Sequence, residues 1–398
     1  MKLLVLIHEF PPIGGGGGMI ARDLVGSLAR RGHQLRVLTS GFGELPKRET
    51  LPESETVPGT VEIVRLNVGR KEMFRADFRS MLAFVSASTR FGLFSGKDFR
   101  PDLIHAHFAV PAGAAAFAIS RLKRIPYVIT VHLGDIPGAS PEKTGAWFKR
   151  IYPFTLPIWK KASKMIAVSQ FSRSLALQSY RVPIDVIPNG IDRTKVRAKL
   201  PIAANDPVRI VFAGRFVPQK NLTQLLRTLD ALRDESWECV LIGDGEERAG
   251  LNEKIRDIGL SDRIRMTGWI EPERVIEIFR TSDILFLPSK AEGLPIVGIQ
   301  ALATGLALVL SNAGGNTDVV LPGRNGYVFD PEDTSGFAGA IRELIAEPAK
   351  LRAFKAASYE LSESFDIEIV TDAYENAFRE VLCGSCDQPA ADNLFLGL

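Results

Sequence analysis

The chain has 398 residues but only three cysteines, Cys239, Cys383 and Cys386. Three thiols cannot build a disulfide framework, and their scarcity suits a reducing compartment. Cys383-Gly-Ser-Cys386 has the spacing of a redox pair or half a zinc site, but no second pair completes it. Asp-x-Asp is absent and no His or Cys cluster has metal-ligand spacing, so neither a metal nor another cofactor is expected. An excess of one charge is lacking too. Lys and Arg number 49 against 46 Asp and Glu, a net charge of +3, which gives no electrostatic footprint for nucleic acid. The longest apolar stretch, Leu294 to Leu310, is interrupted by Pro295, Gly298, Gln300, Thr304 and Gly305, so it reads as a buried helix and strand, not a membrane span. The apolar run in Met1 to Glu9 is too short for a signal peptide and reads as a first strand. Together these absences lead us to expect a soluble, cytoplasmic protein.

What the chain has instead is alternation. Leu3 to Ile7, Gln34 to Thr39, Leu103-Ile104-His105, Tyr127 to His132 and Lys164 to Val168 are short apolar blocks separated by helical patterns, the first helix running from Met19 to Arg31. Such spacing implies a parallel sheet covered on both faces. The pattern breaks at the Pro/Asn/Gly turn in Asp185 to Asp192. It restarts with Val208 to Phe212, Cys239 to Ile242, Ile264 to Met266 and Ile284 to Leu287. The expected fold is α/β, with two doubly wound Rossmann-like domains (1–190 and 191–365) and a ligand site at the carboxyl ends of strands in the cleft between them. Asp366 to Leu382 reads as a late helix, with Ile369, Ala373, Ala377 and Val381 at four-residue spacing; 383–398 reads as a tail without period.

The most informative segment is Ser289 to Gly305. It follows the apolar block Ile284-Leu285-Phe286-Leu287 and places Glu292 before a helix that Pro295, with its fixed φ, is suited to open. Unbonded N–H groups and the macrodipole at that terminus favour an anionic ligand such as phosphate. Gln300 lies eight residues beyond Glu292, which at the helical rise is roughly 12 Å, the order of the distance from hexose to ribose in a nucleotide sugar. The same pattern also fits an exposed loop acid and a polar residue at a helix boundary. The segment resembles the signature of the retaining glycosyltransferases of family 4 (GT4, glycosyl transferases group 1), which have the GT-B fold and carry two glutamates separated by seven residues ahead of an Ala-rich, Gly-ended helix. The resemblance implies that Glu292 contacts the sugar, that backbone groups of Gly293, Leu294, Ile296 and Val297 meet the diphosphate, and that Gln300, in place of the second glutamate, holds the ribose without the assistance of a charge.

Other segments bear the same resemblance. Gly214 to Asn221 follows a strand end and sets Arg215 and Lys220 five residues apart, a clamp and a point charge suited to a leaving diphosphate, or else two solvated cations. The family places an Arg and a Lys at this spacing for diphosphate binding. Gly14 to Gly18 costs much chain entropy, which close approach of the backbone to a ligand would explain better than architecture. Gly16, Gly18 and Ala21 also satisfy a dinucleotide-binding pattern, but the Pro11-Pro12 detour argues against its tight turn. By resemblance, Gly15, Gly16, Gly17 and Gly18 face the donor phosphates. His132 is implied to touch the donor sugar, with Asp135 orienting its imidazole or meeting the acceptor; His105 and His107 are read as structural. Gly268 and Ile270 are implied to lie near the base, and Gly243-Asp244-Gly245-Glu246 is read as architecture.

The resemblance implies transfer of a hexose-type sugar from a nucleotide diphosphate sugar, UDP-linked, to a glycan, glycolipid or lipid-linked acceptor with retention of configuration. Glu292, His132, Arg215 and Lys220 are its catalytic group. A nucleotide-sugar 2-epimerase and a catalytically silent sugar-nucleotide-binding protein are the alternatives. A NAD-dependent oxidoreductase is disfavoured by Ser40 and Gly41, which stand where an acid should end the second strand. Two stretches mix cations with large apolar residues, Arg70 to Phe94 and Trp147 to Lys161. Phe74, Phe78, Leu82 and Val85 recur at helical spacing, which suits either packing on the chain's own domain or peripheral contact with an anionic membrane on the inner face of the cell.

Overall fold

A computed structural model describes residues 1–52, 58–73, 76–95, 98–138, 141–198 and 202–384. Phe74, Cys386 and the tail from 385 therefore lie outside the described residues, as do the side chains of Trp147 to Arg150. The chain divides into two compact units. One is Met1–Gly190 together with the helix that begins at Ile367, and the other is Ile191–Asp366.

The N-terminal unit is built on an eight-stranded sheet. Its strands are β1 (Lys2–Leu6), β2 (Gln34–Ser40), β3 (Arg48–Thr50), β4 (Thr60–Leu66), β5 (Leu103–His107), β6 (Tyr127–Val131), β7 (Lys164–Ala167) and β8 (Asp185–Val186), in the order β3-β4-β2-β1-β5-β6-β7-β8. All neighbours run parallel except β3 on β4. Consecutive apolar residues make the central strands buried on both faces, as parallel sheets require. One face carries the helices Phe78–Arg90, Ala114–Lys123 and Pro141–Lys160, with Phe84, Ile119, Ile158 and Trp159 in its core. The other carries Gly16–Arg30 and Ile367–Cys383, with Leu24, Leu28, Tyr374 and Phe378.

The helix Ile367–Cys383 buries a wider face than its four-residue spacing suggested. Ile367, Val370, Tyr374 and Phe378 are buried, while Ile369 is exposed. A strict four-residue repeat drifts about 40° per turn around a 3.6-residue helix, which carries Ile369, at one end of the repeat, out of the buried stripe, while Ala377 is buried and Ala373 and Val381 pack partly buried against the core. Arg31 fixes the helix through carboxylates of Glu368, Asp372 and Glu375, the last of which also pairs with His33.

In the C-terminal unit, β9 (Val208–Ala213), β10 (Trp237–Ile242), β11 (Ile264–Gly268), β12 (Ile284–Leu287), β13 (Ala307–Ser311) and β14 (Gly326–Phe329) form a wholly parallel sheet in the order β11-β10-β9-β12-β13-β14. β9 and β12 are neighbours although 70 residues of chain separate their ends, so the loops that leave them emerge side by side. Beneath them Asp283, wholly buried, accepts hydrogen bonds from Lys355 Nζ (2.7 Å), Asn205 Nδ2 (2.8 Å) and the Arg209 N–H (2.9 Å).

Candidate active site

In the C-terminal unit, the loop after β9 turns through one 3₁₀ turn, Pro218–Lys220, and the loop after β12 runs to the helix Ile296–Thr304. Three contacts stitch the two loops together. The Lys290 N–H donates to Gln219 O at 2.8 Å, Gln219 Nε2 donates to Ala291 O at 2.7 Å, and Lys220 Nζ donates to Glu292 Oε1 at 2.5 Å. The side chains of Lys220 and Glu292 are only 16% and 9% exposed, so this is a largely buried ion pair. Sequence reasoning assigned one to the diphosphate and the other to the sugar; the fold brings them into contact. Gln219, which carries much of the stitching, was missed, since nothing in the sequence announces a partner 72 residues away.

Glu292 is also held from behind. Its carbonyl accepts the Gly315 N–H at 3.1 Å, and a methyl group on Gly314, whose φ is +63°, would lie 1.9 Å from that same oxygen. Ser311 Oγ donates to Ser289 O at 2.5 Å and Asn316 Nδ2 to Ser311 O at 3.1 Å, tying the base of the loop to β13. Arg215, on the β9 loop, is exposed and makes no ion pair with another described residue. The loop pair therefore offers one locked, charge-balanced Lys–Glu couple and one cation without a counter-ion.

Two geometric expectations for this segment are corrected. The helix begins at Ile296 and Pro295 is its N-cap, with ψ 112°, not its first helical residue. The eight-residue spacing from Glu292 to Gln300 is thus half loop and half helix, and the 12 Å helical span does not apply. Gln300 is half-buried on the second turn; its carbonyl accepts the Thr304 hydroxyl at 2.8 Å, and its side-chain amide has no partner among the described residues. Gly293, Leu294, Ile296 and Val297 lie around this N-terminus, Leu294 buried and the other three partly exposed.

Gly268 ends β11, three strands from β12, and the hydrogen bonds it makes run to the β10 loop and not toward Glu292. Its carbonyl accepts the Gly243 N–H at 3.1 Å, with Ile270 half-buried just beyond. Gly243 and Gly245 lie against the backbone of Gly214 and Phe216, an architectural contact. A separate cavity at the amino ends of β9, β10 and β11 is lined by Arg209, Arg263 and Arg280, but Arg209 is paired with Glu238 and the other two donate to backbone carbonyls.

In the N-terminal unit the glycine run is partly helical, because the first helix starts at Gly16 rather than Met19, with Gly15 as its N-cap. A methyl on Gly18 would lie 2.7 Å from the Glu9 carbonyl, and one on Gly17 would lie 3.0 Å from the Phe108 ring. Packing against the chain itself accounts for these two, whereas Gly15 has open space around it. The N-terminus of this 15-residue helix has no side-chain cap and no acid in its first turn. Phe108 also packs on His132, ring centroids 4.4 Å apart, and His132 stacks on His107 at 5.8 Å. Burial pushes the His132 imidazole down to about 4 and it is neutral near pH 7, with Nε2 lacking a partner among the described residues.

Asp135 holds that imidazole through its backbone N–H, which donates to the His132 side chain, and not through its carboxylate. Its carboxylate accepts the backbone N–H groups of His132 (2.9 Å) and Ala109 (2.5 Å), so it fixes the main chain after β6; burial, opposed by these bonds, lifts its pKa to about 7. His105 is bonded to Thr130 Oγ1 at 2.9 Å, which suits a structural role. His107 is buried with neither ring nitrogen bonded to a described residue, so its structural assignment leaves it unexplained. Sequence reasoning missed a further cluster at the end of β1. There buried Arg70 pairs with Glu9 Oε1 at 2.6 Å and approaches His8 Nδ1 at 3.2 Å. The signal was present in His8-Glu9, two polar residues directly after an apolar strand.

A family model described as Glycosyltransferase Family 4 matches residues 14–195, and one described as Glycosyl transferases group 1 matches residues 192–361. The glycogen synthase of Mycobacterium tuberculosis is 27% identical over 392 residues, covering 94% of this chain and 93% of that protein. The structure of sucrose-phosphate synthase from Thermosynechococcus elongatus superposes with a TM-score of 0.81 at 19% identity, covering 96% of this chain and all of that one. Anabaena HepE in complex with UDP-glucose superposes with a TM-score of 0.75 at 21% identity over 96% of this chain and all of that one. With two consecutive models spanning residues 14 to 361 and two Rossmann-like units of the GT-B type, the chain belongs to the family 4, group 1 glycosyltransferases.

Proposed function

We propose that the chain transfers a hexose from a UDP-linked sugar to a glycan, glycolipid or lipid-linked acceptor, with retention of configuration. The observation that carries this reading is the buried Lys220–Glu292 pair, locked between the β9 and β12 loops, with Arg215, which has no ion-pair partner among the described residues, on the same loop as Lys220. Strand carboxyl ends are where doubly wound sheets bind ligands.

In the reaction the bond from the anomeric carbon to the diphosphate oxygen breaks and negative charge grows on the leaving group. Arg215 and Lys220 balance it as preorganised cations, which stabilises the transition state more than the ground state. Lys220 can do so while one of its three N–H groups stays on Glu292, whose second carboxylate oxygen is left for a sugar hydroxyl. The acceptor oxygen bonds to the same face of the anomeric carbon and its proton passes to the departing phosphate oxygen. The neutral His132 imidazole offers Nε2 to a sugar hydroxyl, and the Gln300 amide accepts from the ribose. HepE, a structural neighbour, was solved with UDP-glucose, which supports uridine as the first nucleotide to try.

The test is a thermal-shift panel of nucleotide sugars on the full chain. A ligand at a hundred times its Kd adds roughly 2.7 kcal/mol, so UDP-sugars should raise the Tm by several degrees. Arg215→Ala should leave the apo Tm in place, because the side chain is exposed, and abolish the shift. No shift with any nucleotide sugar, or an undiminished shift in Arg215→Ala, sinks the donor assignment. Anomeric inversion in the product, read by NMR, would sink retention, and epimerised donor in the absence of acceptor would replace transfer altogether.

A further inference from the structure

The helix Phe78–Arg90 is inverted relative to an ordinary surface helix. Its buried positions are Ser80, Phe84 and Ser88, two of them serines, and Ser88 Oγ has no partner among the described residues. Its outward positions recur every fourth residue and continue past its end, as Phe78, Leu82, Ser86, Arg90 and Phe94. Val85, grouped with Phe78 and Leu82 in the sequence reading, is half-buried and belongs to neither set. Folding the N-terminal unit does not call for apolar side chains on the outer face.

The neighbouring helices of the same layer repeat the pattern. Ala114–Lys123 packs beside Phe78–Arg90, and Gly92 lies against its Ile119; Pro141–Lys160 packs on its other side. Leu122 on one and Phe154 on the other are exposed, so that Phe78, Leu82, Phe94, Leu122 and Phe154 all project from this single layer, with exposures from 47% to 76%. The same helices and the C-cap of Ala114–Lys123 also carry Arg79, Arg90, Arg121, Lys123, Arg124 and Lys160, all exposed and none ion-paired with another described residue. A protein interface gathers its apolar groups into a core and excludes unpaired cations from it. Exposed aromatic and aliphatic side chains on helices that also carry unpaired cations suit a different surface, where the rings enter the headgroup region and the cations meet phosphates.

We infer that this helical layer of the N-terminal unit docks on an anionic phospholipid bilayer. No helix among the described residues is long and apolar enough to cross a membrane. The contact is therefore peripheral and reversible, made by side chains only. The inference does not depend on the identity of the donor, since none of these residues belongs to the proposed donor site.

The test is co-flotation of the full chain with vesicles of phosphatidylcholine containing phosphatidylglycerol, against vesicles of phosphatidylcholine alone. Binding is expected to the first and not to the second, and to fall steeply as salt is raised. The triple variants Phe94→Ser/Leu122→Ser/Phe154→Ser and Arg121→Ser/Lys123→Ser/Arg124→Ser should each weaken binding on the order of tenfold or more, while keeping the wild-type Tm. The salt titration needs no variant and stands even if one folds poorly. Absence of flotation, equal flotation with both vesicle types, or unchanged binding in both well-folded variants overturns the inference. So does a stable dimer in solution that the apolar variant dissolves, since the face would then belong to a second copy of the chain.

Discussion

At the scale of single residues, the proposed donor site is a matter of which charges are answered and which are not. Glu292 and Lys220 answer each other, Arg215 has no counter-ion among the described residues, and Gln300 stands at a position where the family carries a carboxylate. A carboxylate accepts a hydroxyl hydrogen bond about twice as strongly as an amide does. The helix N-terminus four residues away is electropositive, which favours an acid at 300. Gln300→Glu should then tighten UDP binding, by about 1 kcal/mol or several-fold in Kd, with little change in the turnover of bound donor. Isothermal titration with UDP alone decides the point: an unchanged or weaker Kd would mean that position 300 does not reach the ribose.

At the scale of elements, the stitched loops depend on two strands arriving in register, and a buried pair secures one of them. Lys355, from the helix Pro348–Leu361, reaches under the start of β12 to Asp283 and to the Ser282 carbonyl. Lys355→Met removes the cation and leaves a wholly buried carboxylate with only its neutral N–H donors, a loss of roughly 3–5 kcal/mol. Urea unfolding at neutral pH should show it, with partial recovery in Lys355→Met/Asp283→Asn; a change below about 1 kcal/mol would show that the amide donors alone suffice. The strands that carry the site were legible, because burial on both faces writes them as apolar runs: Ile284–Leu287 was read with its observed bounds. The outer strands were not. β4 contains Glu62 and Arg65, which sit in a strand because they pair with Arg36 and Glu49, partners invisible to any local pattern. The helix start at Gly16 was hidden for a related reason. Glycine disfavours helix by about 1 kcal/mol per residue, and only the packing of Gly18 on Glu9 explains its place there. Residue types at the site could be read from motifs, but the Lys220–Glu292 contact requires knowing that β9 lies next to β12.

At the scale of the whole molecule, acid sensitivity is divided unequally between the two units. All five histidines lie in the N-terminal unit, and burial holds four of them well below the usual imidazole range: His8 and His132 at about 4, His105 at about 3, and His107 also well below it, with Arg70 adding to the depression at His8. An imidazole whose folded pKa is depressed contributes stability that is present above its unfolded value, near 6.5, and lost as pH falls toward the folded one. Asp135 works the other way. Its pKa is raised to about 7, so its contribution is greatest below its unfolded value and fades as pH rises through 7. Between pH 6.5 and 4.5 four imidazoles therefore oppose one carboxyl. Each forfeits up to roughly 1.4 kcal/mol per pH unit, so the N-terminal unit should lose on the order of several kcal/mol at pH 5. The C-terminal unit has no histidine to protonate in that window. Calorimetry on the full chain at pH 7.5 and pH 5 should then show one transition moving several degrees or more to lower temperature while the other stays close to its place. Thermal proteolysis can assign the mobile transition by which half of the chain is cut first. Two transitions that shift together, or an N-terminal unit that holds its Tm at pH 5, would mean that the buried histidines take up protons without unfolding the sheet ends that contain them.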